Sequence, residues 1–411
     1  MTDLKKNQTR QFWVILLIVF LGFLGISIPY LIFPPLFLNL EYSFLPLSWG
    51  ESSRALFLGV TLAAYPLGQF IGSPILGALS DDYGRKHLLS ASLVVTAICN
   101  FFTALAIAKQ HVGMLIISRF LAGLMEGNIA IARAMCADLN KLSKHDTFGK
   151  INAVTSIAYL IGPFLGGLMS DKSLLEGLTT STPFFFICVL FVFLAGLSAL
   201  VLKNSPKAGT KKARTLWQRF NFIKRMSALF SNQRLKTLMI ASTCFTLAVD
   251  IFYEFAPVYL TVKWTLGPAQ LIFYNGALCL GLAVGNGWLP AFTSTRTSNR
   301  RLIIGAIGGF AFFLTGIVTT NSHFFMLLGF GLCGLAIGLA VTLLTVNISD
   351  SVSDSMQGEV MGTQVSLRVL GDSIICLLGG VLLIQSSKII LVLAASISLV
   401  TMLYYKMRGK Q

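Results

Sequence analysis

Along this chain the apolar residues fall in long blocks separated by short polar connections. A membrane helix needs about 20 mainly apolar residues. Twelve blocks meet that length: residues 12–33, 54–79, 87–108, 112–136, 151–170, 183–202, 237–261, 268–292, 302–320, 324–348, 359–384 and 388–405. Most connections are short, so the pattern predicts that neighbours in sequence are antiparallel neighbours in space. The first block follows Lys5, Lys6 and Arg10, as a signal peptide would, yet Phe33-Pro34-Pro35-Leu36 stands where a small-residue cleavage site belongs. It reads as a retained span.

The polar positions give orientation. Lys and Arg concentrate in the N-terminal tail, in every second connection and in the C-terminal tail, whereas the opposite side holds Arg54, Lys109, Lys172, Lys263 and Lys388. Basic residues favour the cytoplasmic side, so both termini are expected there. Residues 203–236 carry ten Lys/Arg and no acid. They read as a solvated basic linker, or as a short amphipathic interfacial helix built on Trp217, Phe220, Phe222 and Ile223. The expected division is a six-helix half over 1–202, the linker 203–236, and a second six-helix half over 237–411.

The two halves echo each other. Gly123 and Gly127 recur as Gly334 and Gly338, Gly149 and Gly162 as Gly358 and Gly371, and Gly72 as Gly285. Offsets of 211, 209 and 213 at three separated places are what a duplicated six-helix unit leaves.

Composition agrees and excludes alternatives. Only 12% of the 411 residues are charged, against about 25% in soluble domains, and 55% are hydrophobic. The net charge of +16 lies where anionic headgroups attract it, so nucleic acid is not needed to explain it. Seven cysteines stand singly in apolar runs and provide neither a disulfide framework nor a metal cage. The four histidines are isolated, and no metalloprotease, serine-hydrolase or Walker motif occurs. No enzyme activity, cofactor, metal or direct use of ATP is expected.

The strongest local motif lies between the second and third blocks, Gly77-Ala78-Leu79-Ser80-Asp81-Asp82-Tyr83-Gly84-Arg85-Lys86. Its glycines permit a tight turn and close helix approach. Block four reads Arg119-Phe120-Leu121-Ala122-Gly123-Leu124-Met125-Glu126-Gly127, and block five Gly162-Pro163-Phe164-Leu165-Gly166-Gly167. Together these resemble the major facilitator superfamily: its signature loop G-x-L-a-D-r-x-G-r-k, its R-x-x-x-G motif, and the G-P-x-x-G-G motif of its drug:proton antiporters of the tetracycline-efflux type. Two departures stand out. Ala158 occupies a position usually Gly in the longer antiporter motif, and the second-half copy of the signature loop, 285–301, has no acid.

The resemblance implies an all-α integral membrane protein of twelve spans in two six-helix bundles, a functional monomer in a bacterial inner membrane. It implies that Asp81 and Arg85, framed by Gly77, Gly84 and Lys86, latch the cytoplasmic side, with Asp81 near the start of span 11. It also implies that Gly162 and Pro163, with Gly166 and Gly167, set how span 5 bends and packs.

Ionisable residues inside spans cost at least about 2.5–3.5 kcal/mol each and face protein or water, usually for function. Arg119, Glu126 and Arg133 are seven apart and are expected on one face of span 4. Asp250 and Glu254 are one turn apart on span 7, where like carboxylates disfavour double ionisation. Arg368 and Asp372, four apart on span 11, read as a self-neutralising structural pair or as functional groups. Glu126, Asp250, Glu254 and Asp372 are the proton-coupling candidates, with Arg119, Arg133 and Arg368 as basic partners. Phe252, Tyr253 and Phe255, and Asn128 beside Glu126, are the substrate-binding candidates, the rings by stacking and cation–π contact. Tyr259 is expected to anchor the outer interface.

The expected function is a secondary transporter that exports small amphipathic or cationic molecules by proton antiport and alternating access. The alternative is a proton symporter importing a nutrient or a metal-chelating molecule.

Overall fold

The computed structural model describes residues 2–46, 48–138, 144–171, 176–203, 233–294, 297–352 and 354–408. Most of the basic linker therefore lies outside the described residues, as do the side chains of Asp81 and Arg133. The described chain is helical, with no strand among the described residues.

The helices are α1 (Thr2–Ser27), α2 (Phe33–Leu38), α3 (Glu51–Tyr83), α4 (Arg85–Ala108), α5 (Val112–Leu124), α6 (Gly127–Asp138), α7 (Lys144–Met169) and α8 (Thr182–Val201). Then follow α9 (Gln233–Trp264), α10 (Pro268–Ala283), α11 (Leu289–Ser294), α12 (Asn299–Thr319), α13 (His323–Ser349), α14 (Asp354–Gln385) and α15 (Ser387–Arg408). A 3₁₀ turn over Ile28–Leu31 joins α1 to α2, where Pro34 and Pro35 occupy the first positions.

Eleven described helical segments are long and apolar enough to cross a membrane, and a shorter apolar segment, Ala153–Met169, lies within α7. Their outer faces carry large apolar side chains such as Phe101, Val189, Phe312, Phe324 and Val400. Water would penalise such faces, and lipid accepts them. Inward, buried hydroxyls return to their own helix: Ser92 donates to the Leu89 carbonyl, Thr96 to Ser92, and Thr103 to Cys99. In an apolar surrounding these bonds satisfy groups that have no water to turn to.

Two compact units emerge, residues 1–47 with 60–220, and residues 48–59 with 221–411. In the first, α1 packs on α7, and α4 on α8 and α5. In the second, α9 packs on α14, α12 on α15 and α13, and α10 on α13.

The small residues explain why the same crossing forms twice. Any Cβ on Gly68 or Gly72 of α3 would strike the backbone of Phe120 or Leu124, and one on Gly123 would strike the carbonyl of Tyr65. In the second unit Gly281 and Gly285 lie against the backbone of Gly331 and Leu335, and Gly334 against the carbonyl of Leu278. The partners recur at the offsets of the sequence repeat: Gly68 to Gly281 and Gly72 to Gly285 by 213, Gly123 to Gly334 and Leu124 to Leu335 by 211. Without side chains at the contact, helices approach to backbone distance, the main source of packing energy in lipid.

Two spans depart from the straight helices expected. Span 4 breaks at Met125 and Glu126, where the Glu126 amide reaches the Gly123 carbonyl and the Asn128 amide the Met125 carbonyl, three residues back. Span 8 passes through a π-helical turn over Val284–Trp288 before α11. There Gly285 rests on Leu335, Gly338 on the Asn286 amide, and Thr342 donates to Asn286 Oδ1 at 3.0 Å. Such local changes of helix pitch recur at functional sites and hinges.

Candidate functional site

The charged residues inside the helices collect in two places, one in each unit. In the second unit the crossing of α9 and α14 is drawn tight by small residues: Gly371 faces Leu247, and Gly379 lies under the ring of Phe255. This sets the α14 stripe Gln364, Arg368, Asp372 and Cys376, spaced four apart, against α9. Gln364 donates from Nε2 to Ser242 Oγ. One turn further, Arg368 donates from Nε to Asp250 Oδ2 at 2.8 Å and from Nη2 to Asp250 Oδ1 at 2.7 Å. Beyond that, single donor atoms of Glu254, Asp372 and Cys376 all lie within 4.8 Å of one another. The Cys376 thiol is 3.7 Å from Asp372 Oδ1.

The charges meet across the helices as well as along them. Arg368 makes a two-pronged ion pair with Asp250 of the facing helix. Glu254 and Asp372 form a second cross-helix contact, of like carboxyls. Two ionised carboxylates within 4.8 Å repel by about 3–4 kcal/mol at an effective dielectric near 20. The arrangement resists carrying both charges at once.

The first-unit cluster forms at the break in span 4. Tyr65 of α3 donates its hydroxyl to Glu126 Oε2. The Arg119 guanidinium lies 4.5 Å from the centre of the Tyr65 ring and 5.6 Å from that of Phe33. Arg119 and Glu126 are both more than nine-tenths buried. Seven residues of straight helix would hold their backbones about 10 Å apart. The break re-aims Glu126 so that both groups converge on Tyr65, a residue the sequence reading passed over. Its signal was its place just before Pro66 and three residues before Gly68, on a small-residue crossing. Asn128 is buried, and its Oδ1 has no hydrogen-bond partner among the described residues.

The aromatic candidates divide. Phe252 is fully buried, with its ring 5.2 Å from that of Phe330 and 5.7 Å from that of Phe310. Phe255 is equally buried beneath Gly379. Both therefore serve the packing of α9 rather than lining an open cavity, since bulky rings fill the space beside a glycine. Tyr253 is half-buried beside Phe252. Tyr259, expected at an interface, is buried, donates to the Val318 carbonyl at 3.2 Å and accepts from Lys263.

At the signature loop Gly84 has φ +96°, a conformation that L side chains rarely adopt, and it turns the chain from α3 into α4. Arg85 then donates from Nη1 to the Ala134 carbonyl near the end of α6, at 3.1 Å, where a cation also complements the helix dipole. Lys86 is half-buried, and a Cβ on Gly77 would meet nothing within 4 Å. In α7, Gly162 meets Leu24 and Ser27 of α1, and Gly166 meets the Ile28 carbonyl. Ser27 donates to the Ala158 carbonyl at 3.3 Å. Pro163 follows Gly162 within α7, and Gly167 is buried.

The sequence profile of the Major Facilitator Superfamily matches residues 15–375. The chain belongs to this superfamily. Its long apolar helices make it a multi-pass membrane protein of that superfamily. Among curated relatives it is similar to the class H tetracycline resistance protein of Pasteurella multocida, 33% identical over 49% of this chain and 46% of that protein. It is also similar to the quinolone resistance protein NorA of Staphylococcus aureus, 28% identical over 49% of this chain and 47% of that protein. The match thus spans about half the length of these two relatives. The uncharacterized MFS-type transporter YuxJ of Bacillus subtilis is 28% identical over 76% of this chain and 78% of its own. Among solved structures, the human organic anion transporter MFSD10 has a TM-score of 0.67 at 18% identity, covering 97% of this chain and 99% of its own. The peptide-family transporter PepTSo has a TM-score of 0.73 at 14% identity, covering 98% and 99%. At these identities the likeness concerns the superfamily fold.

Proposed function

We propose that this superfamily member exports small amphipathic or cationic molecules by proton antiport and alternating access. The observation that carries the reading is the second-unit cluster, in which Asp250 is matched by Arg368 while Glu254 and Asp372 face each other inside the helices. A proton lowers the negative charge of such a cluster, and a cationic substrate does the same. Competition for one charge couples the two fluxes in opposite directions. The likeness to tetracycline and quinolone resistance proteins supports export over import, and so does the Gly162-Pro163 pair at the α1 crossing.

In this reading both termini are cytoplasmic, residues 1–202 and 237–411 are the moving halves, and the basic linker lies on anionic headgroups of a bacterial inner membrane. The protein works as a monomer. Asp81 and Arg85 latch the cytoplasmic side, and Glu126, held by Tyr65, is a further coupling group.

Reconstitution in liposomes with a trapped pH dye tests the proposal, using lipophilic cations and amphipathic antibiotics as solutes. Proton movement opposite to the solute is expected, with loss of coupling in a variant carrying Glu254→Gln and Asp372→Asn together. Proton movement in the same direction as the solute would overturn export and establish import by symport.

A further inference from the structure

We propose that the adjoining ends of α9, α12 and α15 form a discrete site for the headgroup phosphate of an anionic phospholipid, built on Arg234, Arg300 and Lys406. Its place in the inner leaflet rests on the orientation proposed above; the binding does not.

α15 packs against both α9 and α12, so the first turns of those two helices meet its last turn. These turns bring Arg234 and Lys236, Arg300 and Arg301, and Lys406 and Arg408, whereas residues 233–249, 289–302 and 388–411 contain no Asp or Glu. At the centre stands Tyr405, which is buried, and the charges of Arg300 and Arg234 both reach its hydroxyl. Arg300 also ties two of the helices together, because its Nη2 donates to the Lys406 carbonyl. That bond sets the guanidinium plane against the end of α15. Its Nε, by contrast, has no hydrogen-bond partner among the described residues.

Positive charges gathered around one ring repel each other. A phosphate placed among them turns that repulsion into attraction. The guanidinium suits this ligand, since its planar fork of N–H donors matches phosphate oxygens two at a time. Arg300 supplies the fork, with Nε as the unused donor, and Arg234 and Lys406 supply further charge from the neighbouring helices.

The surroundings select a lipid over a free anion. The same end of α15 exposes Val400, Leu403 and Met407, spaced three and four apart and so on one face of the helix. Acyl chains lie along that stripe when the phosphate sits among the basic groups. A free anion gains the charges alone; a lipid gains both. Diffuse attraction to headgroups acts on every basic connection alike, whereas this site exists only while three helices are packed. Its ligand therefore stabilises the folded second unit by mass action.

Melting of the full chain, purified in an uncharged detergent, tests the site. The additives are short-chain phosphatidylglycerol, phosphatidylcholine of the same chain length, and inorganic phosphate. Saturable stabilisation by phosphatidylglycerol alone is expected. The double variant Arg234→Gln with Arg300→Gln should need about 25-fold more of this lipid, at about fivefold per charge removed. Lys5→Gln with Lys6→Gln, in the N-terminal tail, should keep the wild-type response. Equal stabilisation by phosphatidylcholine overturns the proposal, and equal stabilisation by inorganic phosphate overturns the lipid as its ligand. Equal losses in the two double variants would reveal diffuse attraction and no site.

Native mass spectrometry of the unaltered protein serves where the arginine variant does not fold. One tightly retained phosphatidylglycerol per chain is expected, and an even ladder of bound lipids overturns the site. Neither measurement involves transport, so lipid binding without proton-driven export overturns the antiport reading alone.

Discussion

Asp250 and Arg368 stand 118 residues apart in the chain and meet through two hydrogen bonds of 2.7 and 2.8 Å between α9 and α14. The pair closes one rung of a polar seam whose neighbours are Ser242 with Gln364 on one side and Glu254 with Asp372 on the other. Removing one partner strands a charge. Arg368→Gln leaves buried Asp250 uncompensated and should cost about 3 kcal/mol, the low end for a buried pair because Arg368 is itself half exposed. The double variant Asp250→Asn with Arg368→Gln should cost less than Arg368→Gln alone. Unfolding of the four proteins in detergent measures this, and strict additivity would remove the pair from the account.

The duplicated glycine crossing makes a paired prediction. Gly72→Leu and Gly285→Leu should each destabilise by at least about 1–3 kcal/mol, because each side chain meets helix backbone that cannot rotate away. Gly77→Ala is the control, with nothing within 4 Å of the added methyl. It should be neutral, or stabilising by up to about 1 kcal/mol inside α3. Thermal melts of the three variants distinguish contact from mere membership of a motif.

Gly84 is required for its backbone. At φ +96° any other residue is strained, and Gly84→Ala should cost about 1–3 kcal/mol. The same melts check it, with transport rate as a second measure, since Arg85 is aimed at Ala134 by this turn.

Tyr65→Phe removes only the hydroxyl that Glu126 accepts, while the ring beneath Arg119 stays. Removing one partner of a buried hydrogen bond costs about 1–3 kcal/mol, and a loss of that order is expected. Tyr65→Leu removes the ring as well and should cost more. Equal effects of the two would show that the ring alone matters.

Tyr42, in the connection after α2, bonds Asp171 at 3.3 Å. Burial, then the charges of Asp171 and Glu41, push its hydroxyl up to about 12. The neutral form is favoured in the folded protein, so its contribution is full below about pH 10 and disappears as pH rises through about 12. The ultraviolet titration difference between wild type and Tyr42→Phe should show one tyrosinate with that high midpoint. A midpoint near 10 would dissolve the contact with Asp171.

Much of the fold was legible because a membrane span is written in composition and length. Each of the twelve apolar blocks has its helix, and the glycine offsets marked a crossing that the backbone repeats. The site was legible only as a set of residues. Asp250, Glu254, Arg368 and Asp372 announced themselves by being charged inside apolar runs, whereas Tyr65 and Cys376 did not, since a tyrosine or cysteine there is unremarkable by type. The spacing of Cys376, one turn beyond Asp372, was the available signal.

What the sequence determined by itself was therefore the membrane class, the apolar helices, the duplicated glycine crossing and the list of intramembrane charges, because each follows from residue type and local period. Pairing was decided by the tertiary structure alone. A sequence places Arg368 one turn from Asp372, but only the approach of α9 at Gly371 offers it the facing carboxylate of Asp250. It spaces Arg119 and Glu126 seven apart, but only the break at Met125 turns both to Tyr65. Charge partners are chosen by distance and direction between helices, and those are fixed by packing far along the chain.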